Sequence, residues 1–149
     1  DWHRATHVWI FTHDRHALLQ RRAHSKDNWP DWWDVSVAGH ISAGEDSAQA
    51  AVREAAEEIG IVLEVGDLVP AGSSPEPCVL DGGAYVDNEI HDIYYTVRDV
   101  DPASLTLEAA EVAEVALVPF AEVHRYDVIP GSLRSFGRAR DHFLASLEG

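Results

Sequence analysis

The sequence has few basic residues, and this limits its partners. Among 149 residues there are 11 Lys and Arg against 26 Asp and Glu, so the formal net charge is −15. Nucleic acids and anionic membranes are bound through basic surfaces, so we expect neither as a main partner. A small phosphorylated substrate is compatible with this charge, because divalent cations and a few basic side chains reverse the local sign.

The sequence also lacks methionine and has a single cysteine. Without a methionine, Asp1 is not expected to be the native start. The lone Cys78 excludes an internal disulfide and favours a reducing, cytoplasmic location, and we interpret it as an inert thiol. No apolar run approaches the roughly 18 residues of a membrane span, and no signal peptide is visible.

Length and composition predict one soluble globular domain. Hydrophobic residues are 46% and charged residues 25% of the chain, and there are no repeats or linkers. We therefore expect a single domain over residues 1–149, with a homodimer left open.

Residues 46–60 predict an amphipathic helix. Asp46 is suited to the N-cap, Gln49 completes a capping box, and Gly60 fits a left-handed residue that ends the helix. One face carries an apolar stripe at helical spacing, formed by Ala48, Val52, Ala55 and Ile59.

The opposite face of this helix is acidic. Glu54, Glu57 and Glu58 share one turn at i, i+3 and i+4, so their carboxylates repel one another unless a cation lies among them. Hard divalent ions take such oxygen ligands together with substrate phosphates, so we expect Mg²⁺ or Mn²⁺ here. The chemistry indicated is metal-assisted attack on a phosphate ester or anhydride.

The whole stretch resembles the Nudix box at every fixed position. The matching residues are Gly39, Glu45, Arg53, Glu54, Glu57, Glu58 and Gly60, with Ala55 and Ile61 as the apolar ones. The resemblance implies an α/β fold, the Nudix α/β/α sandwich with a mixed curved sheet flanked by helices. It also implies hydrolysis of a nucleoside diphosphate linked to another group.

The mechanism that follows assigns a role to each residue of the box. Glu54, Glu57, Glu58 and the backbone carbonyl of Gly39 are the expected metal ligands. Arg53 is placed to pair with Glu57 at i+4 and orient it, while Glu45 holds the loop or Arg53. Glu54, Glu89 and Glu111 all stay open as the general base.

Outside this stretch, apolar alternation predicts a sheet. Strands are expected at residues 5–12, 17–23, 33–38, 85–98 and 112–118, with a weaker one at 61–71 and an irregular edge or loop at 73–77. Residues 81–83 predict a hairpin turn. A short helix is expected from Pro119, and an amphipathic helix over residues 133–147.

Several other residues are open to a functional or an ordinary interpretation. Arg21, Arg22 and Lys26 form either a phosphate clamp or a solvated loop. Asp87 and Glu89 share a strand face and either add carboxylates to the metal site or face solvent. The remaining candidates are two possible ligands or phosphate donors, His3 and His40, and three aromatic residues for packing or ring stacking, Trp29, Trp32 and Trp33.

A second resemblance is to isopentenyl-diphosphate isomerase. It rests on residues 22–26, Trp29-Pro30, Trp33, Ser36, residues 38–40 and residues 87–89. It implies that Arg22 and Lys26 bind a diphosphate and that His3, His40, Asp87 and Glu89 lie at a second metal site.

Two departures count against isomerase activity in this chain. The isomerase has a cysteine where this chain has Ala38, and its box is degenerate, whereas here every hydrolytic glutamate is present. We therefore expect a Nudix hydrolase of the isomerase-like branch that cleaves a diphosphate linkage. The isomerase itself and a non-catalytic nucleotide or metabolite sensor are the alternatives.

Overall fold

A computed structural model describes the backbone of residues 2–79 and 85–148, and the side chains of residues 3–76 and 88–148. Its elements are β1 (Trp2–Phe11), β2 (His16–Arg22), β3 (Trp33–Asp34), β4 (Val37–His40), α1 (Ser47–Ile59), β5 (Val69–Val79), β6 (Tyr85–Val97), β7 (Val112–Pro119) and α2 (Pro130–Ser146). Short 3-10 helices cover Val65–Asp67, Pro102–Ser104 and Phe120–Arg125. None of the helices within these residues is long and apolar enough to cross a membrane.

The strands form one mixed, curved and unclosed sheet in the order β3-β2-β1-β6-β5, with β4 paired to β1 and β7 paired to β2. β1 runs parallel to β6, and the other pairings are antiparallel. β1 meets β2 only where Phe11 pairs with Ala17, while its first half pairs with β4. Among the described strands, β4 therefore has a neighbour on one edge only, and the sheet opens beside it.

Alternate residues of β1 bury opposite faces of the sheet, as the period of two along a strand requires. Trp9 and Phe11 are fully buried in a cluster with Phe136 and Phe143 of α2. Val8 and Ile10 are buried in a second cluster with the apolar stripe of α1. Each large apolar side chain contributes about 1.5–3 kcal/mol of burial free energy. One helix on each face of the sheet confirms the predicted α/β/α sandwich.

The predicted ends of α1 are confirmed. The Asp46 side chain accepts from the Gln49 backbone N–H at 2.8 Å, and the Gln49 side chain accepts from the Asp46 N–H at 3.0 Å. Gly60 adopts φ 72°, and its N–H donates to the Ala55 carbonyl. These local bonds fix where α1 begins and ends, and so fix the position of its acidic face.

The strand predicted at residues 61–71 is wrong for most of its length. Ile61 and Leu63 are buried and Val62 is 80% exposed, which gives the alternation of a strand. These residues pair with no strand, a 3-10 turn follows, and β5 begins only at Val69. The predicted edge at residues 73–77 is confirmed as part of β5, the last strand of the sheet. The predicted turn at residues 81–83 lies outside the described residues.

Candidate active site

A cavity of about 1130 Å³ opens beside the free edge of β4. Its walls come from α1, β4, the segment between β2 and β3, β6 and the beginning of α2. Of the described residues, eight acidic and four basic side chains line it. An anionic substrate therefore needs added cations to enter this cavity with a favourable energy.

Arg53 connects three of the four glutamates of the box. Its guanidinium donates to both carboxylate oxygens of Glu45, at 2.9 and 3.0 Å. It also donates to Glu54 at 2.8 Å, to Glu57 at 3.2 Å and to the His40 carbonyl at 3.2 Å. The predicted i, i+4 pairing of Arg53 with Glu57 is present, and Glu45 holds both Arg53 and the loop, since it accepts from the Ser42 N–H at 3.0 Å.

Glu58 is the buried member of the three carboxylates. Burial, and then a hydrogen bond with the Glu54 carboxyl group, raise the pKa of Glu58 to about 9. The Gln20 amide donates to Glu58 at 3.1 Å, and the Ala38 backbone bonds it as well. Glu54 and Glu58 therefore share a proton, because two adjacent carboxylates cannot both carry charge in a buried place without a cation.

Gly39 provides the space for this pair. A Cβ atom at Gly39 would lie 2.3 Å from Cδ and 2.6 Å from Oε1 of Glu54, which no real contact allows. The glycine lets the backbone of β4 approach the Glu54 carboxylate closely. Carboxylate oxygens against a glycine backbone form a donor set that fits a hard divalent cation.

In the part of the chain with described side chains, no three His, Cys, Asp or Glu side chains are already arranged around a metal position. The reason is visible in their contacts. Glu57 is 59% exposed and turned to Arg53, while Glu54 and Glu58 bond each other. A cation that displaced the shared proton would be met by Glu54 and Glu58 first, with Glu57 reaching it by a change of rotamer.

The candidate ligands of a second metal ion share one face of the sheet. His3 pairs with Glu89 across β1 and β6, and Nδ1 of His40 lies 3.9 Å from the Glu89 carboxylate. Asp87 belongs to β6, but its side chain is outside the described residues. The sheet therefore brings together His3, His40 and Glu89.

Arg22 and Lys26 line the cavity, but both have protein partners. Arg22 donates to the Asn28 carbonyl at 3.1 and 2.8 Å and to Asp34 at 3.4 Å. Nζ of Lys26 lies 2.5 Å from the Glu111 carboxylate. Arg21 does not line the cavity and pairs on the surface with Asp31 and Glu114.

The other candidates divide between the cavity and the core. The three candidate bases, Glu54, Glu89 and Glu111, all line the cavity. Trp29 lines it as well, and Trp32 contacts Trp29 edge to face, with ring centroids 4.8 Å apart. Trp33 packs instead against the core and Tyr126.

Sequence reasoning missed a buried polar group on the α2 side of the cavity. The rings of His7 and His91 stack with centroids 3.9 Å apart, and Ser135 bonds both His7 and Trp9. Burial, and then the neighbouring His91, lower the pKa of His7 well below its usual value, so His7 is neutral. The signal in the sequence was a polar residue at an inward position of a strand.

Gln20 and the ion pair of Glu76 with Arg134 were missed as well. Gln20 lies inward on β2, where an apolar residue is usual, and holds Glu58. Arg134 donates to Glu76 at 2.6 Å. No local pattern links residues 58 positions apart, so this pair had no signal in the sequence.

Comparison with known proteins agrees with this geometry. Residues 1–137 match the family model described as NUDIX domain. The chain therefore belongs to the Nudix family, and the resemblance found in residues 39–61 is confirmed.

Three relatives show how far the similarity extends. Nudix hydrolase 3 of Arabidopsis thaliana is 39% identical over 129 residues, which are 85% of this chain and 17% of that protein. An uncharacterised Nudix hydrolase of Listeria monocytogenes is 32% identical over 142 residues, 95% of this chain and 74% of that protein. Isopentenyl-diphosphate Delta-isomerase of Enterobacter sp. (strain 638) is 36% identical over 92 residues, 62% of this chain and 49% of that protein. The chain thus spans a small part of the Arabidopsis protein and about half of the isomerase.

Solved structures share the fold. The NUDIX domain of Shewanella oneidensis NrtR, complexed with ADP ribose, matches with a TM-score of 0.75 and 19% identity. The match covers 96% of this chain and 89% of the other.

The first prediction concerns acid stability. Hydrogen bonds from Arg53, and then from the Ser42 backbone, lower the pKa of Glu45 from 4.5 to about 2. Because the pKa falls on folding, the stability that Glu45 contributes is complete above pH 4.5 and is lost as the pH falls towards 2. Glu45→Gln should therefore lower the melting temperature at neutral pH. The melting temperature of this variant should also decrease less than that of the wild type as the pH is lowered below 4.5. Melting curves across pH in EDTA test this, with exposed Glu148→Gln as the control; overlapping wild-type and Glu45→Gln profiles would contradict it.

The second prediction concerns metal binding at Gly39. Mg²⁺ that binds only the folded state should raise the melting temperature by roughly 3–6 °C at ten times its Kd. Gly39→Ala places a methyl group where the Glu54 carboxylate lies, so this gain should fall by at least about half. The matched control is Gly66→Ala, where an added Cβ meets no atom within 4 Å. Equal gains in wild type and Gly39→Ala would show that Glu54 does not bind the metal.

Proposed function

We propose that the chain is a divalent-metal-dependent Nudix hydrolase that cleaves a diphosphate linkage in a small nucleoside-diphosphate-type substrate. Water attacks at phosphorus. The observation that carries the proposal is the carboxyl pair of partly buried Glu54 and buried Glu58 beside the backbone of Gly39. Such a pair is unfavourable by itself, because burial opposes the charge of Glu58 and Glu54 adds a like charge.

The roles of the box residues follow from their contacts. Glu54, Glu57, Glu58 and the Gly39 carbonyl would hold Mg²⁺ or Mn²⁺, which when bound lowers the pKa of water and neutralises charge at phosphorus. Arg53 fixes the directions of Glu54 and Glu57 through its hydrogen bonds. Glu45 in turn fixes Arg53, so it acts as a positioning residue.

The opposite wall supplies the contacts to the remaining phosphate oxygens. Lys26 would exchange its ion pair with Glu111 for one with a phosphate oxygen, which is a charge-assisted contact of the same kind. Arg22 shapes this wall, because two of its nitrogens hold the Asn28 carbonyl, and it would offer its remaining N–H groups to the diphosphate. Release of Lys26 would leave the Glu111 carboxylate available as a base, beside the other candidates Glu54 and Glu89.

The comparisons support the substrate class. The NrtR domain is complexed with ADP ribose, a nucleoside diphosphate with a second sugar. The cavity of about 1130 Å³ is slightly larger than the usual small-molecule site of roughly 300–1,000 Å³, so it accommodates a ligand of this size.

Removal of either of two proposed metal ligands, Glu57 or Glu58, should abolish most turnover. Glu57→Gln and Glu58→Gln each remove a charged metal ligand, and we expect turnover of a diphosphate substrate to fall by at least about 10²-fold. Phosphate release from a panel of nucleoside diphosphate sugars, dinucleoside polyphosphates and nucleoside triphosphates with Mg²⁺ measures this. Exposed Glu148→Gln should keep full turnover. Wild-type rates for both variants at saturating Mg²⁺ would refute the assignment of the metal site.

Loss of Lys26 should weaken substrate binding more than metal binding. Lys26→Ala removes a charge-assisted contact to phosphate, so KM should rise about tenfold or more while the Mg²⁺ concentration for half activity stays unchanged. Arg21→Ala, a neighbouring cation outside the cavity, is the matched control. A rise in the Mg²⁺ requirement with a constant KM would remove Lys26 from the substrate wall.

The isomerase alternative requires a proton donor and an acceptor on opposite faces of the alkene, and the isomerase has a cysteine at the position of Ala38. Ala38 lines the cavity, but a methyl group neither donates nor accepts a proton. We therefore expect no interconversion of isopentenyl and dimethylallyl diphosphate by the wild-type chain. NMR detection of deuterium uptake from heavy water tests this, and clear uptake would make isomerisation the better assignment.

A further inference from the structure

Gln20 is a buried amide at a position of β2 where the surrounding layer is apolar. The residue is only 5% exposed. Leu18, two residues earlier on the same face of the strand, packs in the apolar cluster that includes the stripe of α1. A buried amide is unfavourable unless its polar groups are hydrogen-bonded, so an apolar side chain would be the ordinary residue here. The bonds that Gln20 makes therefore indicate what the amide does at this position.

The amide nitrogen of Gln20 has two acceptors. It lies 3.2 Å from the Ser36 backbone carbonyl and 3.1 Å from Oε1 of Glu58. A backbone carbonyl only accepts, so Ser36 requires that the nitrogen of the amide, and not its oxygen, face this side. Both N–H groups of the amide are then engaged. Glu58 thus receives a donor whose direction is fixed, because Gln20 cannot turn without losing two bonds.

Ser36 is itself held at the fork where β1 and β2 separate. The Ile10 N–H donates to Oγ of Ser36 at 2.9 Å, and this hydroxyl donates to the Leu18 carbonyl. The side chain of Ser36 therefore bridges the two strands just beyond the one residue pair at which they meet directly. A continuous series of hydrogen bonds runs from this fork of the sheet through Ser36 and Gln20 to Glu58.

The carboxylates of the box helix differ in the charge of the group that holds them. Glu54 and Glu57 accept from Arg53, which is a cation. Glu58 accepts instead from Gln20, which is neutral. A cationic partner repels a metal ion that binds the same carboxylate, whereas a neutral amide fixes the carboxylate and adds no positive charge. Gln20 can therefore orient Glu58 without opposing the binding of a metal ion.

We propose that Gln20, anchored on Ser36, is a positioning residue of the metal site, and that it sets the metal affinity by fixing the Glu58 carboxylate. Partners that orient metal ligands in this way typically change metal affinity about 10- to 100-fold when they are removed. The inference rests on the proposed function, since the metal belongs to it. It adds to the box a residue from a different strand, which the pattern of the box does not contain.

The test measures metal binding directly. Mn²⁺ is titrated into the protein, and the EPR signal of free Mn²⁺ gives the Kd without any substrate. Gln20→Met removes both N–H groups and keeps about the same side-chain length, so the Kd for Mn²⁺ should rise about tenfold or more. The control is Thr96→Val, which removes a buried hydroxyl group from β6 outside the cavity and should leave the Kd unchanged.

A second variant separates reach from polarity. Gln20→Asn keeps the amide but is one methylene shorter, so it cannot hold Ser36 and Glu58 together, and the Kd for Mn²⁺ should rise as well. Methionine fits buried positions well, so Gln20→Met should keep its melting temperature in EDTA within about 5 °C of the wild type. Its gain in melting temperature at a fixed Mn²⁺ concentration should be smaller than that of the wild type. A merely structural role would lower both melting temperatures equally and leave the Kd unchanged.

Two results would overturn the positioning role. One is a Kd for Mn²⁺ that Gln20→Met changes by less than twofold, and the other is an equal rise of the Kd in Thr96→Val. The proposed function fails separately. Mn²⁺ binding that depends on Gln20, without hydrolysis of any diphosphate, would leave the positioning role and remove the hydrolase. Hydrolysis by the wild type, with an unchanged Kd in Gln20→Met, would do the reverse.

Discussion

The bonds of Arg53 to three glutamates hold the box together. One guanidinium bonds Glu45, Glu54 and Glu57 and also holds a backbone carbonyl of the preceding loop. Without this cation, the loop that carries Glu45 and the second half of α1 would bring several like charges together. Arg53 offsets the repulsion only in part, since Glu58 lies behind the others and shares a proton with Glu54. The negative charge that remains would favour the divalent cation proposed above.

The divided path of β1 creates the cavity beside the box. Its end forms a hairpin with β2, while its first half is joined by β4, so two parts of the sheet separate along one side. β4 carries Gly39 towards α1 and His40 towards α2. A four-residue strand thus presents backbone to the carboxylates and a side chain to the opposite face of the same sheet.

The sequence alone predicted the contacts between residues that are close together in the chain. The capping box of Asp46 and Gln49 and the pairing of Arg53 with Glu57 are separated by three and four residues, so helical spacing specifies them. The stack of His7 on His91 and the bond of Gln20 to Glu58 join distant segments, and they depend on how the strands pair. The strand predicted after α1, at residues 61–71, was wrong for a different reason. Its side chains alternate between core and solvent as in a strand, but no neighbouring strand accepts its hydrogen bonds.

The cavity walls differ in origin, and this has a consequence for how such a protein can change. The box wall is one continuous stretch, cross-linked within itself by Arg53 and the helix caps. The facing wall is assembled from β5, β6 and α2, whose residues meet only through tertiary contacts such as that of Arg134 with Glu76. Substitutions on the facing wall can therefore accumulate without disturbing the carboxylates. One box segment can thus be combined with facing walls of different shape, and a redesign of ligand specificity can begin on α2 with the box left unchanged.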